Sequence, residues 1–267
     1  MSDYKPTINT DEVPEGQNTI HVALVSGGMD SAVAASVAYE TANKIDFFAY
    51  LDTGTGLQEN EDYVKELARH HGVQPWILGT HEDYEEWVQE QGFPGPALHS
   101  TAYRKLKERQ LGKLATLAHP KELVLWSGVR SAESKRRSLN VEPIDDAPRW
   151  KWVSPIHDWD KDKCKSYLDD RDIPKNEIWD TLGRSGDCFC GCFGNPEEKL
   201  DLRAFGADYH AEWIEDLEDT VETGDKTETW AWGAFSDKEQ RGLDAENDNS
   251  QMTLCSSCGV SYPQGDD

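Results

Sequence analysis

A chain of 267 residues carries 51 acidic against 27 basic side chains, a net charge of −24, which opposes non-specific adhesion to nucleic acid or to an anionic membrane surface. No apolar run approaches the roughly 18 residues of a membrane span, and the first residues lack the basic and apolar regions of a secretion signal. The expected setting is therefore cytoplasmic, with a halophilic cytoplasm as the simplest source of the charge and the six cysteines as thiols or metal ligands rather than disulfides.

The length allows one α/β domain plus an appendage, with a core large enough to fold alone. Residues 1–18 are polar, contain Pro6, Pro14 and Gly16, and predict a mobile lead-in. Residues 20–25, IHVALV, are apolar at every position but His21, the pattern of a strand buried on both faces of a parallel sheet; His21 reads as a core or strand-end residue. Ser26-Gly27-Gly28-Met29-Asp30-Ser31 then leads into a predicted helix of small residues, 32–39. Two glycines admit a ligand close to the backbone, the helix N-terminus supplies N–H groups, and Ser26 and Ser31 add hydroxyls, so the turn reads as a phosphate site. The helix-end field contributes only about 0.3–1 kcal/mol per charge; directed hydrogen bonds must supply most of the affinity. The hexapeptide resembles the SGGxDS loop of the PP-loop ATP pyrophosphatases, the superfamily that includes the PAPS reductases and the DndC-like proteins.

Residues 45–51 read as a second buried strand, ending in Asp52-Thr53-Gly54-Thr55-Gly56. That loop stands at the carboxyl end of a strand, where open α/β sheets place ligands, and it is similar to the family's LDTG segment. Periodicity predicts a helix over 59–71, stopped by Gly72, then a strand over 75–78, an acidic helix over 82–91 and a turn-rich break over 92–96. A longer helix is predicted over 97–118 and carries Arg104, Lys105, Lys107, Arg109 and Lys113. This basic cluster reads either as a solvated face with distant partners or as a contact for substrate phosphate or sulfate, because Glu108 is its one local acid. Residues 122–126, ELVLW, form a fourth predicted strand followed by SGVRSAESKRR. The latter resembles the GxRxxESxxR segment of the PAPS reductase and DndC-like branch, with Arg130, Glu133, Ser134 and Arg137 in register; guanidinium forks suit bidentate capture of an oxyanion. Residues 151–159 resemble the family's PIxDW segment at Pro155, Ile156, Asp158 and Trp159, and a helix is predicted over 161–170. Strands alternating with helices predict a doubly wound, mostly parallel α/β sheet. The expected organisation is the lead-in, a PP-loop PAPS reductase-like domain over 19–200 and an acidic, cysteine-containing C-terminal extension over 201–267.

Cys188, Cys190 and Cys192 are clustered, Cys255 and Cys258 form a late C-x2-C, and Cys164 in its predicted helix reads as a buried structural thiol. The first five read as thiolate ligands of zinc or of an iron-sulfur cluster such as [4Fe–4S], or as redox thiols, one attacking sulfur and another resolving the product. The tail departs from the reductase pattern: Ser257 and Ser261 flank Cys258-Gly259 where ECGxH would place Glu and His.

The resemblance implies an adenine nucleotide as ligand and a sulfur donor or acceptor as partner. It further implies cleavage of ATP between its α and β phosphates, pyrophosphate on residues 26–31, Asp30 positioning Mg²⁺, Asp52 near the adenosine side, and Arg130 and Arg137 on the acidic part of the substrate. Transfer of sulfur would use a persulfide on Cys188, Cys190 or Cys192. A thiol-dependent reductase of adenylyl sulfate or PAPS, and a non-catalytic nucleotide- or metal-binding partner, are the competing classes. Asp30→Ala is expected to abolish Mg-ATP binding and to leave the fold intact, since Asp30 falls at a loop-to-helix junction.

Overall fold

A computed structural model describes residues 4–42, 45–93, 101–102, 104–131, 142–190 and 198–220. The four predicted strands form as β1 (Thr19–Leu24), β2 (Phe47–Leu51), β3 (Gln74–Leu78) and β4 (Glu122–Trp126). Two further strands, β5 (Ile144–Ala147) and β6 (Trp150–Val153), complete a sheet of order β3-β2-β1-β4-β6-β5. Every neighbouring pair is parallel except β5 with β6. The doubly wound, mostly parallel sheet is thus observed, with one antiparallel edge. Strand β5 is a short, acid-bearing edge, with Asp145 and Asp146 exposed and Asp146 paired to Lys151, which protects an edge from pairing with other chains.

The chain runs outward from β1 through β2 to β3 and then returns to β4 on the other side of β1. Such a reversal opens a crevice outside the carboxyl ends of the two inner strands, where open α/β sheets bind ligands. The sequence points to the carboxyl ends of β1 and β2; the reversal itself lies between β1 and β4. Helix α1 (Met29–Thr41) follows β1, and its small residues are explained by burial on every side: Ala32, Val33, Ala34, Ala35, Ser36, Val37 and Ala38 are all buried.

The described residues fall into two compact units. The first takes in the whole sheet, α1, α2 (Gln58–His71), residues from Gln110 on in α4 (Arg109–Ala118), α5 (Lys161–Asp170) and α6 (Glu177–Leu182). Its lead-in is docked rather than loose: Thr7 N donates to Pro155 O at 2.9 Å, Trp159 Nε1 to Lys5 O at 3.2 Å, and Val13 joins the core. Polar composition hid this because the segment is held by backbone hydrogen bonds and by one ring, Tyr4, packed against Trp159 and Tyr167. His21 is buried in β1, accepts from Trp126 Nε1 at 3.2 Å and has its basicity lowered by burial. Cys164 is buried on α5 and its thiol is pushed up to about 12, chiefly by desolvation, as a structural cysteine requires.

The second unit takes in Asp52–Leu57, α3 (His81–Gln91), a π-helical turn (Arg104–Glu108), α7 (Glu198–Phe205) and α8 (Asp208–Thr220). Its last described helix begins ahead of the acidic stretch and buries His210, Ala211, Ile214 and Leu217 on one face. The basic cluster of the predicted 97–118 helix divides: Lys105 reaches Glu90, while Lys107 is buried and paired with buried Asp187 at 2.9 Å. Among the described residues no helix is long and apolar enough to cross a membrane.

Candidate nucleotide site

The loop after β1 is built around one hydroxyl. Ser31 Oγ accepts from Ser26 N at 3.1 Å and from Ser26 Oγ at 3.2 Å, and donates to Gly28 O at 2.8 Å. Ser31 therefore braces the loop on which its sequence position suggested a direct phosphate donor. Gly28 is the N-cap of α1 and makes no side-chain cap, so no side chain of its own shields the first amides of the helix.

Two asparagines absent from the sequence reading set the loop's orientation. Asn60, fully buried on α2, donates through Nδ2 to Ser26 O at 3.1 Å. Asn176, the N-cap of α6, donates through Nδ2 to Gly27 O at 2.9 Å and to Asn60 Oδ1 at 2.9 Å, while its own Oδ1 accepts from Ile178 N at 3.0 Å. In a planar trans peptide the N–H points opposite to the C=O. Holding the carbonyls of Ser26 and Gly27 therefore aims the N–H groups of Gly27 and Gly28 away from the asparagines, as a phosphate cradle needs. Gly27 has φ +85°, and a Cβ there would lie 1.7 Å from Asn60 Oδ1, so both backbone conformation and space demand glycine. Asn, a residue favoured at N-caps, was the one local signal for Asn176, and no helix was predicted after it; nothing in the sequence marked Asn60.

Asp30 stands in the first turn of α1 and reaches across the strand-order reversal. Its Oδ2 accepts from Arg130 Nη2 at 2.8 Å, and its Oδ1 is buried with no hydrogen-bond partner. Arg130 follows β4 through Ser127-Gly128-Val129 and is buried; its Nη1 donates to Trp159 O at 3.4 Å. Gly128 lets this loop rest directly on the first one, for a Cβ there would lie 2.7 Å from Asp30 C, Asp30 O and Ser31 N. The pairing of Asp30 with a buried cation corrects the expectation that it can be removed without cost to the fold. Glu133, Ser134 and Arg137 lie outside the described residues.

In the second unit, the loop that follows β2 is tied to the cysteine segment. Asp52 is buried and its Oδ1 accepts from Gly54 N at 2.9 Å. Thr53 Oγ1 donates to Asp187 O at 3.2 Å, and Phe189 N donates to Thr55 O at 2.8 Å. Tyr84 OH donates to Cys190 O and His210 Nε2 to Phe189 O, each at 2.8 Å. His210 is fully buried, and desolvation lowers its pKa to about 4, which leaves it neutral with its proton on Nε2. The segment 187–190 is thus held at Asp187, Phe189 and Cys190; Cys188 is half-buried and Cys190 buried. Cys192, Cys255 and Cys258 lie outside the described residues, and among the described residues no group of three or more His, Cys, Asp or Glu could hold a metal ion.

The sheet, the reversal and the braced loop define a nucleotide-binding α/β domain of the PP-loop kind, a superfamily of enzymes. Within it, this chain belongs to the phosphoadenosine phosphosulfate reductase domain family, whose sequence model matches residues 20–194. It is 24% identical over 171 residues to the glutamine-hydrolyzing GMP synthase of Aeropyrum pernix, a match covering 61% of this chain and 33% of that protein; the chain spans about a third of that relative's length. Among solved structures it is similar to a phosphoadenylyl-sulfate reductase from Candida auris in a phosphate complex, with 16% identity, TM-score 0.48, and 66% of this chain and 83% of that one covered. It is also similar to the U34-tRNA thiolase NcsA of Methanococcus maripaludis with its [4Fe–4S] cluster, with 14% identity, TM-score 0.45, and 94% and 79% covered.

Proposed function

We propose that the protein cleaves ATP to AMP and pyrophosphate in order to adenylate an acceptor, and that sulfur is then transferred onto that acceptor. The observation that carries this reading is the complete SGGMDS loop, with its carbonyls turned aside by Asn60 and Asn176 and Asp30 Oδ1 left without a hydrogen-bond partner. The amides of Gly27 and Gly28 bind the departing pyrophosphate and stabilise the charge that develops on it as the bond from the α phosphorus breaks. A buried carboxylate oxygen with no hydrogen-bond partner fits a hard cation, so Asp30 is the residue that would hold Mg²⁺, which supplies charge neutralisation to the phosphates. Asp52 is assigned to the adenosine side and Arg137 to the acidic part of the substrate.

Sulfur would arrive as a preformed persulfide on Cys188, Cys190 or Cys192; its outer sulfur displaces AMP from the activated acceptor, and a second of these thiols then attacks the inner sulfur, releasing the acceptor as its thiol and leaving a cysteine disulfide that added thiol reduces. Cys188, Cys190, Cys192, Cys255 and Cys258 together offer thiolates to zinc or a [4Fe–4S] cluster, which metal and acid-labile sulfide analysis of anaerobically purified protein reads out. The Cys188–Cys190 segment supplies two of these thiols on a backbone held at Phe189 and Cys190.

A second reading, thiol-dependent reduction of adenylyl sulfate or PAPS, is favoured by the family match itself. The two separate on one assay. With Mg-ATP, thiol, a persulfide-level sulfur donor and an acceptor, the proposed activity yields AMP and pyrophosphate in equal amounts. Release of sulfite from PAPS with no pyrophosphate from ATP would replace it by the reductase, and no turnover of either would leave a binding protein.

A further inference from the structure

On sequence grounds Arg130 reads as a hand for the substrate's oxyanion. We propose instead that Arg130 is the positioning residue for Asp30: it holds one carboxylate oxygen so that the other is presented to the cation. This inference rests on the phosphate-loop reading above and assigns a role inside that site.

Four observations carry it. The guanidinium is buried and already spans two segments, with Nη2 on Asp30 Oδ2 at 2.8 Å and Nη1 toward Trp159 O at 3.4 Å. The backbone that carries it cannot retreat, because Gly128 lies directly against the backbone of Asp30 and Ser31, and Ser131 is fixed to His157 O through N at 2.8 Å and Oγ at 3.0 Å. Trp159 is itself locked: its Nε1 donates to Lys5 O, Tyr4 packs on its ring, and Lys163 Nζ sits 4.3 Å from the ring centre. Finally, the pairing leaves Asp30 Oδ1 buried and without a hydrogen-bond partner, which is costly in a protein unless something else meets it.

A carboxylate that is to bind a cation must be held in one rotamer and must keep an oxygen available, and a partner on its other oxygen does both. The planar fork of Arg130 can engage Asp30 and the Trp159 carbonyl together; a lysine ammonium at the same place would be a point donor without that reach. The lead-in, through Lys5 and Tyr4, is the outer support of the same chain of contacts.

The test uses the full-length protein, Mn²⁺ as the cation, and pyrophosphate and α,β-methylene-ATP as probes, with urea unfolding confirming that each variant is folded. Partners of metal ligands typically set affinity by about 10–100-fold. Arg130→Lys should therefore weaken Mn²⁺ binding to the protein–nucleotide complex, read by electron paramagnetic resonance, by about 10–100-fold. In an Asp30→Asn background, adding Arg130→Gln should leave metal-free pyrophosphate affinity unchanged, since no carboxylate remains to be positioned. A loss of about tenfold or more in that second comparison would make Arg130 a direct phosphate contact and overturn the proposal. Unchanged Mn²⁺ affinity in Arg130→Lys overturns it as well. Wild-type protein that binds pyrophosphate but no Mn²⁺ overturns this proposal alone; wild-type protein that binds neither overturns it together with the phosphate-loop reading.

Discussion

Asp30→Ala should lower the stability of the protein by about 3–5 kcal/mol and abolish binding of Mg-ATP, the first effect arising from loss of the carboxylate partner of a buried charge. The side chain of Arg130 is 9% exposed and that of Asp30 21%. Removing the carboxylate takes the 2.8 Å ionic partner from a buried guanidinium, whereas Asp30→Asn keeps an acceptor for Nη2 and should lose about half as much. Urea unfolding of the three proteins measures the first effect and calorimetry with Mg-ATP the second. An alanine variant as stable as wild type would show that the pair contributes nothing to the fold; one that binds Mg-ATP as tightly would remove Asp30 from the site.

Gly128→Ala should also be damaging, through geometry alone. The added methyl would lie 2.7 Å from Asp30 C, Asp30 O and Ser31 N, which are backbone atoms at the start of a helix buried from Ser31 to Ala38 and have little room to move. Overpacking of this kind costs about 1–3 kcal/mol, and the shift it forces falls on the phosphate loop, so Mg-ATP affinity should drop by at least about tenfold. Gly112→Ala is the control: its methyl would meet only Arg149 Nη1, at 3.4 Å, and alanine favours a helix over glycine by about 1 kcal/mol. Equal nucleotide affinity in the two variants would show that the loops after β1 and β4 do not bear on each other.

These contacts divide what the sequence could show from what it could not. Strands β1, β2 and β4 were legible because a strand buried on both faces is apolar at nearly every position, and β1 and β4 differ from their expected spans by one residue or none. The phosphate loop was legible because glycine pairs and a following run of alanines are required locally. Strands β5 and β6 were not, since each is only four residues long and neither carries a continuous apolar run; β5 is the acid-bearing edge. Nor were Asn60 and Asn176, whose role depends on three segments meeting, far apart in the chain. Arg130 was found in position but assigned to the substrate; only burial and the Asp30 contact reveal what its charge faces. Residues 208–220 were obscured by charge density, although His210, Ala211, Ile214 and Leu217 keep a helical period beneath it.

The most direct measurement of the central claim, that this loop is the phosphate site, uses the chain's three Ser-Gly pairs, at 26–27, 127–128 and 185–186. Protein labelled with ¹³C-carbonyl serine and ¹⁵N-glycine gives carbonyl-filtered amide signals from Gly27, Gly128 and Gly186 alone. The Gly27 amide should shift on addition of pyrophosphate and of Mg-ATP, as its N–H gains a phosphate acceptor. If Mg-ATP binds by calorimetry while all three signals stay where they were, the nucleotide lies elsewhere and the account is wrong.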